Sequence, residues 1–253
     1  MEKRRAKVKK FSVITGVLIL GVVLGIAWLI LSTFSLGSPL QVQETPSPTP
    51  VDTPANEQQY THASFFVPDT SDISLLPNFT QKKTSAALIE ENNCAAAING
   101  GFYDTANKPL GLFRIGETVL AKQIQSNLLN GFLSDDGITV AVPTGRFVLQ
   151  SGPLLIQRGN PLPLKIQNDE HARRMVAAKT GEGFLFLTVY KEDSVFEGPL
   201  LAELPKVIQK INTKENLGIV DAINLDGGSA SAFKNAETTL SELTPVGSLF
   251  CIK

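Results

Sequence analysis

Cysteine, histidine and tryptophan are scarce in this sequence, which holds two, two and one of them in 253 residues. Two cysteines, Cys94 and Cys251, are too few for a disulfide scaffold or a multi-cysteine zinc site. With His62 and His171 alone, a multi-histidine metal centre is excluded, while a mixed histidine–carboxylate site stays open. An excess of one charge is also lacking, since the formal net charge is −1. That near-balance hides a split. The first ten residues carry six Lys/Arg and one Glu, a net +5, and the remainder carries −6. A mildly acidic body argues against a nucleic-acid-binding main domain. Hydrophobic residues at 43 % and charged residues at 19 % make an ordinary globular mix, which excludes a wholly disordered chain, a collagen-like fibre and a polytopic membrane protein.

What is present begins with a basic tip, residues 1–10, and an apolar run behind it. From Phe11 to Leu31 there is no charge, and Val, Ile, Leu and Gly dominate. Such a helix rises ~1.5 Å per residue and spans about 30 Å, the thickness of a bilayer core. Trp28 lies near the outer end, where an indole suits the interface. The positive-inside rule keeps the basic tip cytoplasmic and sends the rest of the chain outside. We expect an uncleaved single-pass anchor over 11–36. A cleaved signal peptide is the alternative, but its apolar region is usually about 7–15 residues. Residues 37–58 hold Pro39, Pro46, Pro48, Pro50 and Pro54 and read as an extended spacer.

The remaining segment, 59–253, is long enough for one sizeable domain. Short apolar runs punctuated by Gly, Pro, Asn or Asp predict strands at 60–67, 95–99, 111–115, 131–133, 139–142, 146–150, 154–157, 175–178, 184–190, 219–225 and 247–252. Helices are expected over 82–92 and over 200–212, the latter from an apolar stripe at 200, 201, 204, 207, 208 and 211. Many strands with two helices imply an α+β fold with a mixed or mainly antiparallel sheet. Cys251 falls in a predicted strand and Cys94 directly before one, both outside the cytoplasm, where a disulfide persists, but two separate buried thiols fit equally well.

Two segments echo each other. One reads Asn99-Gly100-Gly101-Phe102-Tyr103-Asp104, and the other Asn224-Leu225-Asp226-Gly227-Gly228-Ser229. Each is an apolar strand ending in a short polar residue and a diglycine. Glycine allows positive φ and close backbone approach, and successive N–H groups in such a turn form an anion-binding nest. The plainer alternative is a hairpin turn. A third segment, Gln150-Ser151-Gly152-Pro153-Leu154-Leu155, reads by itself as a turn between strands. A fourth, His171-Ala172-Arg173-Arg174, offers guanidinium forks suited to phosphate, or simply two solvated arginines.

Taken in chain order, the four segments, with Pro109-Leu110-Gly111 after the first, resemble the phosphodiester glycosidase family. The family pattern is Asn-Gly-Gly-Phe-Phe/Tyr-Asp, Pro-x-Gly, Ser-Gly-Gly/Pro-Pro-Leu-Leu, a His-Pro-Arg-Thr-like stretch, and Leu-Asp-Gly-Gly-Gly-Ser. The resemblance covers about 60–253. It departs at Ser229, which stands where the family has a third glycine, and at His171–Arg174. There, spacing to the next strand favours Arg174 as the family arginine and distance from His171 favours Arg173.

The resemblance implies hydrolysis of the bond between an anomeric carbon and a phosphodiester oxygen. A glycosidase normally needs one carboxyl to protonate its leaving group. A phosphodiester leaves as a stabilised anion, so one carboxylate with a cation and N–H donors suffices. The implied catalytic set is Asp226, Arg174 and Asn99. Substrate binding falls to Gly100, Gly101, Tyr103, Asp104, Ser151, Gly152, His171, Arg173, Gly227, Gly228 and Ser229. Tyr103 would stack on the sugar, and Asp104 would bind hydroxyls or orient the arginine. No cofactor is expected. A divalent metal is not excluded, because Asp104, Asp221 and Asp226 offer oxygen ligands. The expected partners are a carbohydrate phosphodiester or glycopolymer and, through the anchor, a membrane. A domain that binds an envelope glycopolymer without cleaving it is the alternative function.

Overall fold

The structure is a computed structural model and describes residues 60–253. The expected basic tip, membrane span and nearly all of the spacer lie outside the described residues. Among the described residues no helix is long and apolar enough to cross a membrane.

In chain order the strands are β1 (Thr61–Val67), β2 (Ile73–Pro77), β3 (Ala96–Asn99), β4 (Phe113–Ile115), β5 (Thr118–Ala121), β6 (Gly131–Ser134), β7 (Ile138–Thr139) and β8 (Phe147–Ser151). They continue with β9 (Leu154–Gln157), β10 (Asn160–Pro161), β11 (Arg174–Thr180), β12 (Phe184–Tyr190), β13 (Ile219–Asn224), β14 (Phe233–Lys234), β15 (Thr239–Leu240) and β16 (Ser248–Ile252). Helix α1 (Ser85–Asn92) precedes β3, and α2 (Leu204–Glu215) precedes β13. Three sheets run in the orders β1-β12-β11-β13-β9-β10, β15-β14-β3-β16-β2 and β5-β4-β8-β6-β7. The strand pairs within them are antiparallel, so the α+β class holds in its mainly antiparallel form.

The six-stranded sheet is apolar on both faces, which is why β11 and β12 read as continuous hydrophobic runs. Met175, Ala177, Phe184, Phe186 and Ile223 face a core shared by all three sheets, where Phe186 and Phe250 lie 5.5 Å apart. Val176, Ala178, Leu185 and Leu187 face the other way and are covered by Leu204 and Ile208 of α2. On the five-stranded sheet of β16, the outer residues Ala97, Leu249 and Cys251 pack under Leu88 of α1. Cys94, just past α1, forms a disulfide with Cys251 across 157 residues of sequence.

Several boundaries differ from expectation. Helix α1 starts at Ser85, not residue 82, because Lys82 has φ +51 and Thr84 caps the helix by accepting from Ala87 N at 3.2 Å. Helix α2 is shifted three or four residues later. Pro205 falls at its first positions, and residues 200–203 form a lead-in turn. The expected strand at 139–142 is instead the two-residue β7, with Val140 and Val142 left exposed. Strands β2, β5, β10, β14 and β15 were not foreseen. Four of them are short or exposed, and β2 ends in a proline.

Candidate active site

The four motif segments meet at one place, where β3, β8 and β13 end and β11 begins. Asn99 closes β3 and is 1 % exposed, so its amide must find partners in the protein. Its Nδ2 donates to Asp226 O at 2.8 Å, and its Oδ1 accepts from Ala232 N at 3.0 Å. Asp226 N in turn donates to Gly100 O at 3.1 Å. The two diglycine bends, about 127 residues apart in sequence, are therefore stitched directly to each other. Neither is a hairpin turn.

The third segment joins through β13. Ser151 Oγ and Gly152 N both donate to Asn224 O, at 2.7 and 3.1 Å, and Asn224 Nδ2 donates to Gly152 O at 3.1 Å. Asn224 Oδ1 is buried without a partner. The fourth segment joins through its backbone, as Arg173 O accepts from Gly228 N at 2.9 Å.

The glycines are required here for space rather than as a nest of free donors. A Cβ at Gly100 would lie 2.3 Å from Ser248 Oγ, one at Gly101 2.7 Å from Leu149 Cδ1, and one at Gly227 2.7 Å from Arg173 O. Their N–H groups are mostly committed inside the fold. Gly100 N donates to Ser248 O, Gly227 N to Asp226 Oδ1, and Gly228 N to Arg173 O. Of the four, Gly228 also needs its residue type for conformation, at φ +63.

Asp226 is half-buried at the centre of this junction. Burial pushes its carboxyl up to about 7, and the 3.0 Å hydrogen bond from Gly227 N only partly opposes that. No arginine or lysine contributes to its shift. It is thus a reachable carboxyl in a poorly solvating place, held near neutrality in its affinity for a proton.

The two arginines go opposite ways, as successive residues at a strand start must. Arg173 is fully buried on the side of the bends. Its Nε donates to Ser231 Oγ at 2.7 Å, its Nη2 to Ser231 O and to Ser241 O, and its guanidinium lies 4.7 Å from the Phe196 ring centre. Its Nη1 has no partner. Burial lowers its pKa to about 10, with Glu242 and Tyr190 acting against that. Arg174 points toward α2, donating to Pro199 O at 2.9 Å, to Glu170 O, and to Asp169 Oδ1 at 3.3 Å. Arg174, expected as the phosphate clamp, thus turns Nε and Nη2 to the far face of the sheet. Arg173, two residues after His171, holds the position beside the bends.

Other expected residues sit at the rim with different partners. Tyr103 donates from its hydroxyl to Pro245 O at 2.8 Å, and its ring abuts Gly247. Asp104 accepts from Ala106 N and Lys108 N through Oδ1 at 2.9 and 2.8 Å, which folds its own loop rather than orienting an arginine. Pro109 bridges back to Tyr103, so the Pro-x-Gly segment closes that loop. His171 is exposed, with Nδ1 2.9 Å from Gly198 O. Ser229 is exposed, and its carbonyl accepts from Leu243 N and Thr244 N. Asp221 holds Arg158 N five residues before Asp226, and among the described residues no group of three His, Cys, Asp or Glu gathers as a metal site. Ser231 and Ser248 were missed by sequence reasoning. Only the run of small polar residues after Gly228 hinted at the first.

A chain that closes this junction has relatives. The sequence signature of the phosphodiester glycosidase family matches residues 92–253. No curated protein sequence matches the chain significantly. Among solved structures, a hypothetical protein from Synechocystis aligns with a TM-score of 0.56 at 16 % identity, over 78 % of this chain and 60 % of that one. The chain thus spans about three-fifths of that relative's length. The catalytic domain of zebrafish N-acetylglucosamine-1-phosphodiester alpha-N-acetylglucosaminidase, auto-inhibited by its pro-peptide, aligns with a TM-score of 0.52 at 16 % identity, over 78 % of this chain and 84 % of that one. At such identity the likeness is one of fold. The signature, which covers well over half of the sequence and contains every segment of the junction, places the chain in the phosphodiester glycosidase family.

Proposed function

We propose that the domain hydrolyses a sugar-1-phosphodiester, with Asp226 as the one carboxylate that acts on the reacting centre. The observation that carries this reading is the convergence of four distant segments on a half-buried carboxyl whose pKa is raised to about 7. A base works best when its pKa lies near the operating pH. Ionised Asp226 takes a proton from water as the water oxygen bonds to the anomeric carbon. The bond from that carbon to the phosphate oxygen breaks, and its electron pair leaves with the phosphate. Products are the free sugar and a phosphomonoester. Such a leaving group needs little protonation, so a second carboxyl is not called for.

Asn99 is a positioning residue in this scheme, fixing Asp226 through its main-chain oxygen. Arg173 stands behind the second bend. Its Nε–Ser231 hydrogen bond continues from Ser231 Oγ to Gly228 O, so its charge supports the loop without touching solvent. The test is hydrolysis of a sugar-1-phosphodiester by the full chain and by Asp226→Asn. The parent is expected to release sugar, and the variant to lose about 10²–10⁴-fold. Equal turnover by a folded variant removes Asp226 from the role. Glycopolymer binding with no product by the parent favours the non-catalytic alternative.

We further propose that residues 11–36 hold this hydrolase at a membrane with 59–253 outside the cytoplasm, in an envelope or exopolysaccharide role. The support is the charge-free run behind a basic tip and the Pro-rich segment after it. External protease digesting the domain on intact cells is the expected result. Full protection overturns the orientation.

A further inference from the structure

A cleft of about 500 Å³ lies next to the third motif, walled by the segment between β5 and β6. That segment is fixed from within by one side chain. Gln150, 2 % exposed, accepts from Leu112 N and Ile124 N at 3.0 Å each and donates to Ile124 O and Leu129 O at 2.8 Å each. Ser126 Oγ accepts from Leu128 N and Leu129 N, and Asn130 Oδ1 accepts from Leu154 N at 2.8 Å. The backbone is thus pinned in advance. The side chains of Gln123, Gln125 and Asn127 also line the cleft, are exposed, and make no hydrogen bond to the described residues. Aliphatic surface from Ile124 and Val140, 39 % and 61 % exposed, completes the wall. No charged side chain lines it.

We infer that this cleft binds a neutral saccharide portion of the substrate, through the free amides of Gln123, Gln125 and Asn127 and the aliphatic wall beside them. Resting on the hydrolase reading above, this names the substrate class as a glycan chain rather than an isolated sugar phosphodiester. Sugar rings present hydroxyl edges and C–H faces. Amides that both donate and accept suit the edges, and Ile124 and Val140 suit the faces. A phosphate-rich or acidic polymer would require cations that the cleft lacks. Fixing the loop before binding reduces the entropy lost on association.

The cleft touches the third motif through Asn130, whose Oδ1 accepts from Leu154 N. Gln150 on its floor is followed by Ser151, whose hydroxyl holds Asn224 O. A Cβ on Gly152 would also come within 3.0 Å of Asn130 N, so this lining residue packs against the glycine of the third motif.

The test has two arms, both on the full chain. In the first, calorimetric titration of the Asp226→Asn variant uses chitotriose, maltotriose and trigalacturonate. At least one neutral trisaccharide is expected to bind, and about ten-fold more weakly when Gln123→Ala and Asn127→Ala are added. Trigalacturonate is expected not to bind. Absence of neutral binding, binding unchanged by the double substitution, or equal binding of the acidic trisaccharide overturns the inference. In the second arm, the parent and the Gln123→Ala/Asn127→Ala variant are compared on sugar-1-phosphodiesters with and without a neutral trisaccharide extension. A KM raised about ten-fold on the extended substrate alone supports the inference. Parallel changes on both substrates, or none, overturn it. Binding in the first arm without turnover in the second removes the hydrolase reading and leaves the glycan site standing.

Discussion

The two faces of the six-stranded sheet are built from alternate residues of the same strands, yet they have opposite characters. On the face under α2, Arg174 donates to Pro199, Glu170 and Asp169, and Asp169 also accepts from Leu201 N and Ala202 N. Toward the bends, Arg173 Nη1 is buried without a partner, and Asp226 sits where its charge is poorly solvated. A buried polar group left unmet beside a raised carboxyl marks a place where a ligand can supply what the fold does not. Neighbouring residues of identical type can therefore serve stability and chemistry separately.

The strongest way to break this contrast is Asp226→Asn, which loses about 10²–10⁴-fold in turnover of a sugar-1-phosphodiester while the fold survives. Next come the paired arginines. Arg173→Met leaves the buried Ser231 without its donor and is expected to lower unfolding free energy by about 3 kcal/mol together with activity. Arg174→Met keeps kcat/KM within about two-fold, because Asp169 retains its two backbone donors, and lowers stability by about 1–2 kcal/mol. Urea unfolding read beside the assay separates the two, and equal activity losses would erase the distinction between faces. Gly227→Ala forces Arg173 O aside and is expected to cost about 1–3 kcal/mol. Gly181→Ala meets nothing within 4 Å and should stay within about 0.5 kcal/mol of the parent.

A further effect is in the pH dependence of stability. Asp226 rises from 3.8 to about 7 on folding. Between those values the native state keeps a proton that the unfolded chain has released. Its contribution is therefore full below about pH 4 and declines as pH rises to about 7. Asp226→Asn should match the parent's melting temperature at pH 4 and exceed it at pH 8. A gap that is constant across that range would show that the carboxyl is not desolvated.

Much of this was readable before any coordinates. Strands β11, β12 and β13 showed as apolar runs because both of their faces are buried, and the diglycine segments stood out because only glycine fits against Ser248 and Arg173 O. Other features depend on contacts made at long range. Nothing local distinguishes Arg173 from Arg174 until the parity of β11 is known. The nest expected from consecutive glycines failed because Ser248 O and Arg173 O, remote in sequence, take the N–H groups first. Asp104 was expected to bind hydroxyls or orient the arginine, but Ala106 N and Lys108 N are close enough to claim its Oδ1. The disulfide was one of two equal readings until β16 was seen to run beside β3, just beyond α1.

Strand β16 carries a consequence for biogenesis. It lies between β2 and β3, which are synthesised some 150 residues earlier, and brings Cys251 to Cys94. Until residue 252 leaves the ribosome, β2 and β3 have no central neighbour, and the Cys94 thiol has no mate. That sheet, and the disulfide within it, are therefore completed only late in synthesis, which makes its closure a long-range step.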